Sequence, residues 1–117
     1  MTEENRSADW KKVRGLLSLC ARARRLTSGA QGVEAALRKG QGFLLIADAD
    51  CSEETRKGLV SAAGRAGIGL WFSPFPVGEA IGKDNRKTVL VLDEGFAGAI
   101  RKCLEGPAGG QPQKERQ

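Results

Sequence analysis

An unbroken apolar run, Phe43-Leu44-Leu45-Ile46-Ala47, stands between Gly42 and Asp48. A strand with one wet face alternates apolar and polar residues, so a run that is apolar at every position belongs to a strand covered on both faces. Ile68 to Phe72 and Thr88 to Leu92 are two further short apolar segments with strand character. The segments between them carry the helical period. Trp10, Val13, Leu16, Leu17 and Cys20 mark a helix over 10–22, with Asp9 placed to cap it. Ala30, Val33, Ala36 and Leu37 mark a second helix over 30–39, stopped by Gly40. A third runs from Glu53 to Ala66, with Leu59, Ala62, Ala63 and Ala66 inward, and a last from Glu94 to Leu104, with Phe96, Ile100 and Leu104 inward. Val77 to Ile81 reads as a short helical turn after the extended Ser73-Pro74-Phe75-Pro76 connection, because a proline disfavours helix in the residue before it. Gly82 to Lys87 is a charged loop, and Leu26-Thr27 is a weak edge strand. Helices alternating with strands covered on both faces predict an α/β fold: a three-layer α/β/α sandwich around a central mixed sheet of about four strands.

A chain of 117 residues builds one core of this kind and lacks the material for a second. The expected domain is 9–105. Residues 1–8 are polar and expected to be flexible. Residues 106–117 are Gly, Pro, Gln and charge, which bury too little apolar surface to offset the entropy of ordering, so a disordered tail is expected. No apolar run approaches the ~20 residues of a membrane-spanning helix, and Met1 to Asp9 lacks the apolar stretch of a signal peptide. The expectation is a cytoplasmic protein with no membrane partner. Cys20, Cys51 and Cys103 are odd in number and far apart, which suits neither a disulfide framework nor a metal site. Cys20 and Cys103 fall at apolar helix positions and read as small buried hydrophobes.

The chain contains no histidine and no tyrosine. Ser-His-Asp and Cys-His catalysis, histidine metal sites and tyrosine acid–base chemistry are thereby excluded. The net charge of +5 is uneven: residues 1–40 carry +5, residues 41–80 carry −2 and residues 81–117 carry +2. A basic block beside a neutral body suits a polyanionic partner, although a solvated helix face has the same composition.

The strongest candidate for an anion seat is Ser28-Gly29-Ala30-Gln31-Gly32, where the second helix opens. A first helical turn presents unpaired amides and partial positive charge, and small residues there admit a phosphate. Arg24 and Arg25 precede this turn, and Arg38 and Lys39 follow it. Neither G-x-x-x-x-G-K-[ST] nor G-x-G-x-x-G occurs, so this is not a nucleotide-binding loop of either kind. Lys83, Asn85 and Arg86 form a second basic loop. Asp48 and Asp50 end one strand, and Asp93 and Glu94 another. Such carboxylates hold magnesium in receiver domains, but Asp50 and Ser52 also suit the cap of the third helix, and Asp93 and Glu94 the start of the last. Trp71, Phe72 and Phe75 are candidates for base stacking or for plain core packing, with Phe75 between prolines the more open case.

These residues also carry a resemblance. Leu19 to Gly40, with Leu-Cys-Ala-Arg-Ala-Arg-Arg-Leu-Thr-Ser-Gly and then Val33, Ala36, Leu37 and Gly40, resembles the ribosomal L-seven-Ae / L-thirty-e / Gadd-type superfamily. Phe43 to Asp50 looks like its second strand and following loop. Gly78-Glu79-Ala80-Ile81-Gly82-Lys83 looks like its late glycine-containing element, with Val77 where leucine is usual. The likeness runs in order from about Trp10 to Leu104 and is nearest the bacterial YlxQ-like branch. It implies a three-layer fold and RNA binding at kink-turns. The turn residues would be Ser28, Gly29, Ala30, Gln31 and Gly32, and the late-loop residues Ile81, Gly82 and Lys83. This chain departs from the strong kink-turn binders: Gln31 stands for asparagine, Gly32 for glutamate and Ala35 for lysine. Gln31 retains a donor and an acceptor for a base edge, whereas Gly32 and Ala35 offer no polar side chain.

The expected function is thus a small ribosomal-protein-like RNA-binding protein, a ribonucleoprotein component rather than an enzyme. It would bind structured, kink-turn-like RNA, with ribosomal RNA among the candidates, through Ser28–Gly32. Arg24, Arg25, Arg38 and Lys83 would supply the surrounding field, and Arg86 is a further candidate for RNA contact from the second basic loop. No metal, cofactor or small-molecule substrate is expected. One rival is a protein-interaction module that kept the fold and lost kink-turn recognition. The other is a receiver-like protein using Asp48 and Asp50.

Overall fold

The computed structural model describes residues 8–105. The expectations for 1–7 and for the 106–117 tail lie outside the described residues, whereas Ala8 packs against the core. Helix α1 (Trp10–Arg22) leads through a tight turn to strand β1 (Leu26–Ser28) and helix α2 (Ala30–Arg38). Strand β2 (Leu44–Asp48), helix α3 (Glu53–Ala66) and strand β3 (Gly69–Ser73) follow. Then come the short helix α4 (Val77–Ala80), strand β4 (Thr88–Val91) and helix α5 (Glu94–Glu105). The strands form one sheet in the order β1-β4-β2-β3. β2 and β3 are parallel, and β4 runs antiparallel to both β2 and β1. The mixed sheet with a three-residue edge strand matches the sequence expectation.

The period of two in the strands divides the core. Leu44, Ile46, Trp71, Val89 and Val91 point to one face, where Val13, Leu17 and Cys20 of α1 and Ala97, Ile100 and Leu104 of α5 cover them. Leu45, Ala47, Leu70, Phe72 and Leu90 point to the other, beneath Val33 and Ala36 of α2 and Ala63 of α3. Each large aliphatic side chain buried in this way contributes roughly 1.5–3 kcal/mol. Trp71 and Phe72 are therefore core residues of opposite faces, unavailable for stacking on bases. Among the described residues no helix is long and apolar enough to cross a membrane.

Local chemistry sets the element ends. Asp9 accepts the Lys12 amide at 3.2 Å and caps α1. Ser52 accepts the Thr55 amide at 3.0 Å and caps α3, while Asp50 is exposed and does not perform the capping expected of it. Asp93 Oδ2 accepts the Phe96 amide at 2.8 Å at the start of α5. Gly67, at φ +71, ends α3 in the left-handed region. Strand β2 lies one residue later than the apolar run suggested. Phe43 is 39% exposed and Asp48 only 6%, because the Asp48 carboxylate is committed inward: its Oδ1 accepts the Val77 amide at 2.8 Å and anchors the start of α4.

Candidate nucleic-acid interface

Strand β1 delivers the chain to Gly29 at the edge of the sheet, where the Gly29 amide donates to Thr88 O at 2.9 Å. Gly29 has φ +84 and ψ 156, a conformation unfavourable to any residue with a Cβ. Helix α2 then begins. Val33 N–H makes the first bond of the helix, to Gly29 O at 3.0 Å. The amides of Ala30, Gln31 and Gly32 come before it and have no acceptor within the helix. No side chain caps this end, and the first turn holds no acidic residue. The other long helices differ: α1 and α3 each have a capping side chain, and α3 and α5 each have an acid in their first turn. Helix α2 therefore carries its N-terminal partial positive charge uncompensated.

Gly32 serves packing. A Cβ there would lie 2.6 Å from Thr27 Oγ1, so the glycine lets α2 sit close against β1.

The late loop folds onto α4. Lys83 N–H donates to Gly78 O at 2.8 Å, and Arg86 N–H to Lys83 O at 3.0 Å. A Cβ on Gly78 would collide with the Lys83 carbonyl oxygen and come within 2.6 Å of Arg86 O, so this glycine is required for the loop to close. Gly82, at φ +78, makes the turn. Ile81 is half-buried against the core, while Lys83 and Asn85 are exposed.

Arg86 joins the two segments. Its Nη1 lies 2.7 Å from where a Gly29 Cβ would stand, and its Cδ 3.3 Å. The guanidinium thus fills the space left by the glycine at the mouth of α2. Its Nε is buried without a hydrogen-bond partner. Among the described residues Arg86 makes no ion pair. Two positive features, an uncapped helix start and a guanidinium with no ion pair among the described residues, therefore stand side by side.

The remaining basic candidates lie elsewhere. Arg24, at φ +59, and Arg25 form the turn before β1. Arg25 O accepts from Leu92 at the far end of the β1–β4 ladder, whereas Gly29 meets Thr88 at the near end. The three-residue strand between them spans about 10 Å. Arg38 lies at the C-terminal end of the nine-residue α2, about 12 Å from its start. It pairs with Glu34 at 3.4 Å in an exposed i,i+4 contact. Arg86 stands against the α2 entry and Lys83 lies exposed on the same late loop, whereas Arg24, Arg25 and Arg38 are set back from the entry.

The other chemistry-bearing residues have structural tasks. Besides the Val77 amide, Asp48 meets Lys87 at a distant 3.9 Å. Among the described residues no three His, Cys, Asp or Glu side chains cluster as a metal site would require. Phe75 packs edge-on against Trp10, with ring centroids 5.8 Å apart and planes at 82°, and Arg14 lies 5.6 Å from its ring. Arg56 sits 3.9 Å over the Phe72 ring. Cys20 is buried, and its thiol is pushed up to about 11, chiefly by desolvation and secondarily by Asp93, with Arg25 opposing. A cavity of about 560 Å³ opens between α2 and α3 over Val33, Leu37, Leu59 and Ala62, with Arg38 and Arg65 in its walls. The small residues of α3 were visible in the sequence, but their consequence, two helices standing apart over the sheet, was not. The Arg86–Gly29 contact was likewise missed, because nothing in a linear sequence places residue 86 beside residue 29.

No protein-family model matches the sequence, and no curated protein matches it. Solved structures do. A Bacillus halodurans protein of unknown function is 33% identical with a TM-score of 0.74, over 84% of this chain and 98% of that one. A Giardia lamblia 15.5 kD RNA-binding protein is 16% identical with a TM-score of 0.68, over 80% of this chain and 82% of that one. At that identity the Giardia protein shares the fold.

Proposed function

This chain belongs to the same family as the Bacillus halodurans protein of unknown function; that kinship supplies no activity, and we propose one from the chain's own residues. The protein is a small RNA-binding protein, not an enzyme, that seats the phosphate backbone of a structured RNA at the entry of α2. The observation that carries this reading is the uncapped, acid-free start of α2 beside Arg86, which holds no ion pair among the described residues. An anionic phosphate satisfies both at once, by accepting from the free amides of the first turn and by pairing with the guanidinium. The shared fold of the Giardia RNA-binding protein supports the choice of RNA among polyanions.

In this reading Ser28, Gly29, Ala30, Gln31 and Gly32 form the seat. Ile81, Gly82, Lys83 and Arg86 form its second wall. Arg24, Arg25 and Arg38 act at a distance as a steering field. Gln31, exposed on the first turn of α2, is the side chain available to read a base edge. The favoured target is a sharply bent, kink-turn-like RNA, with ribosomal RNA as the natural source. The membership is that of the bacterial YlxQ-like branch of the ribosomal L-seven-Ae superfamily, and the compartment is the cytoplasm. The alternative is a protein-interaction module of the same fold. It is motivated by Gly32 and Ala35, which present no polar side chain where kink-turn binders carry glutamate and lysine.

The test is fluorescence anisotropy with a labelled hairpin interrupted by a three-nucleotide bulge and tandem G·A pairs, across a salt series. The wild type binds with an affinity that falls steeply with salt. Gln31→Glu places a carboxylate on the exposed first turn of α2 and sharply weakens binding, while circular dichroism retains the folded spectrum. Normal binding by this folded variant overturns the assignment. Capture of a protein partner that survives ribonuclease, together with no RNA binding, selects the alternative.

A further inference from the structure

We infer that Arg86 is a positioning residue: its guanidinium, lodged in the space vacated by the missing Gly29 side chain, fixes the distance between the late loop and the α2 entry. The inference rests on the RNA-binding reading for its purpose, but its geometry belongs to the free protein. A bent backbone touching both walls is recognised only if they are held at a set spacing, since mobile walls would pay their ordering entropy on binding.

Three observations converge. First, Gly29 does two things at once. Its φ of +84 turns the chain into α2, and its bare face receives Arg86 Nη1 and Cδ, so a Cβ would sit 2.7 Å and 3.3 Å from them. Second, the backbone of the late loop is held at its two ends but not across to α2 between them. Lys83 N–H bonds to Gly78 O and Arg86 N–H to Lys83 O at one end, Asp48 N–H to Lys87 O and Gly29 N–H to Thr88 O at the other, and among the described residues no backbone hydrogen bond joins residues 79–86 to α2. The Arg86 side chain adds the contact between that stretch and the α2 entry. Third, its Nε is buried without a partner and it holds no ion pair among the described residues, so nothing polar explains its location. Packing of the stem and the flat guanidinium against glycine does. A lysine retains the charge but not the planar head, and cannot fill the same space.

The experiment uses the full chain and reads amide hydrogen exchange at Lys83 and Arg86 in Gly29→Ala, Arg86→Lys and the double variant. Gly67→Ala is the control, because Gly67 has a similar positive φ of +71 with nothing within 4 Å of its Cβ position. The expected result is exchange of the late-loop amides faster by about tenfold in each single variant. The double variant exchanges no faster than either single one, since the same contact is lost only once. Gly67→Ala leaves these amides at the wild-type rate. The inference is overturned if Gly29→Ala leaves the late loop unchanged, if the two effects multiply, or if Gly67→Ala accelerates the same amides equally. Should Gly29→Ala fail to fold, Arg86→Lys alone decides: wild-type exchange rates refute the inference.

A second arm measures affinity for the bulged hairpin against salt. Arg86→Lys loses about tenfold in affinity with an unchanged salt slope, because the charge is kept and the spacing is lost. Full rescue by lysine shows that Arg86 acts as a charge only and refutes the positioning role. The two failures are separable: wild-type protein that ignores the RNA sinks the RNA-binding reading and leaves the exchange result standing.

Discussion

Asp48→Ala is the perturbation with the clearest arithmetic. Asp48 is 6% exposed, and its Oδ1 accepts the amide of Val77, which is wholly buried. Alanine removes a charge-assisted hydrogen bond and leaves that amide bare, a loss of about 1–3 kcal/mol. The Lys87 contact adds little, because it spans 3.9 Å and the lysine is 64% exposed. The expected cost is about 2 kcal/mol, which corresponds to a fall in Tm of roughly 8 °C for a domain of this size. Urea denaturation would show a lower midpoint at an unchanged m-value. Asp48→Asn keeps an acceptor oxygen and should lose less than half as much. The local consequence is more telling than the global one. α4 carries Gly78, on which the late loop closes, so Asp48→Ala loosens one wall of the RNA seat. Affinity for the bulged hairpin therefore falls, although removal of a negative charge alone would raise it. A Tm within 1–2 °C of wild type, on the same scale of effects, refutes the anchoring role. Equal damage from Asn and Ala refutes the capping argument, and increased RNA affinity refutes the coupling of α4 to the seat.

Other outcomes follow from the same geometry. Lys83→Ala, on the exposed late loop, should weaken RNA binding and reduce the salt slope by about 0.7–0.9, one phosphate contact; an unchanged slope removes Lys83 from the interface. Phe75→Ala removes the edge-on contact with Trp10 and the Arg14 contact, and chemical denaturation should show a loss of about 2 kcal/mol. Cys20 should resist alkylation at pH 8 in the folded state while Cys51 and Cys103, both partly exposed, react first. The Cys20 thiol is raised from 9.0 in the unfolded chain to about 11. The unfolded form thus ionises first, and the contribution of this group to stability is complete below pH 9 and is lost as pH rises toward 11. A Cys20→Ser variant with the same alkaline denaturation profile as wild type contradicts this.

The layers of the fold were legible because they rest on periodicity. Leu44 to Ala47 could only be a strand covered on both faces, and Val13, Leu17 and Cys20 only one face of a helix. The boundaries moved where a polar residue had a private partner. Asp48 looked like the end of a strand and a candidate magnesium ligand, yet it is the buried last residue of β2 because Val77, twenty-nine positions later, needs an acceptor. The helix entry at Ser28–Gly32 was legible from its small residues, but not the reason for each. Gly32 is small because Thr27 lies beneath it, and Gly29 because Arg86 lies against it. Summed charge misled in the opposite direction. Arg24, Arg25 and Arg38 are close to the entry in sequence, but a strand and a helix carry them away from it, whereas Arg86, far along the chain, is brought to it.

The central claim is that an RNA phosphate backbone seats between the α2 entry and the late loop. Amide chemical-shift mapping of the labelled 117-residue chain, titrated with the bulged hairpin at low salt, tests it most directly. The account predicts the largest shifts at Gly29 to Gly32 and at Gly82 to Arg86, with the α1 and α5 layer unmoved. Shifts confined to α1 and α5, or none anywhere, would contradict it.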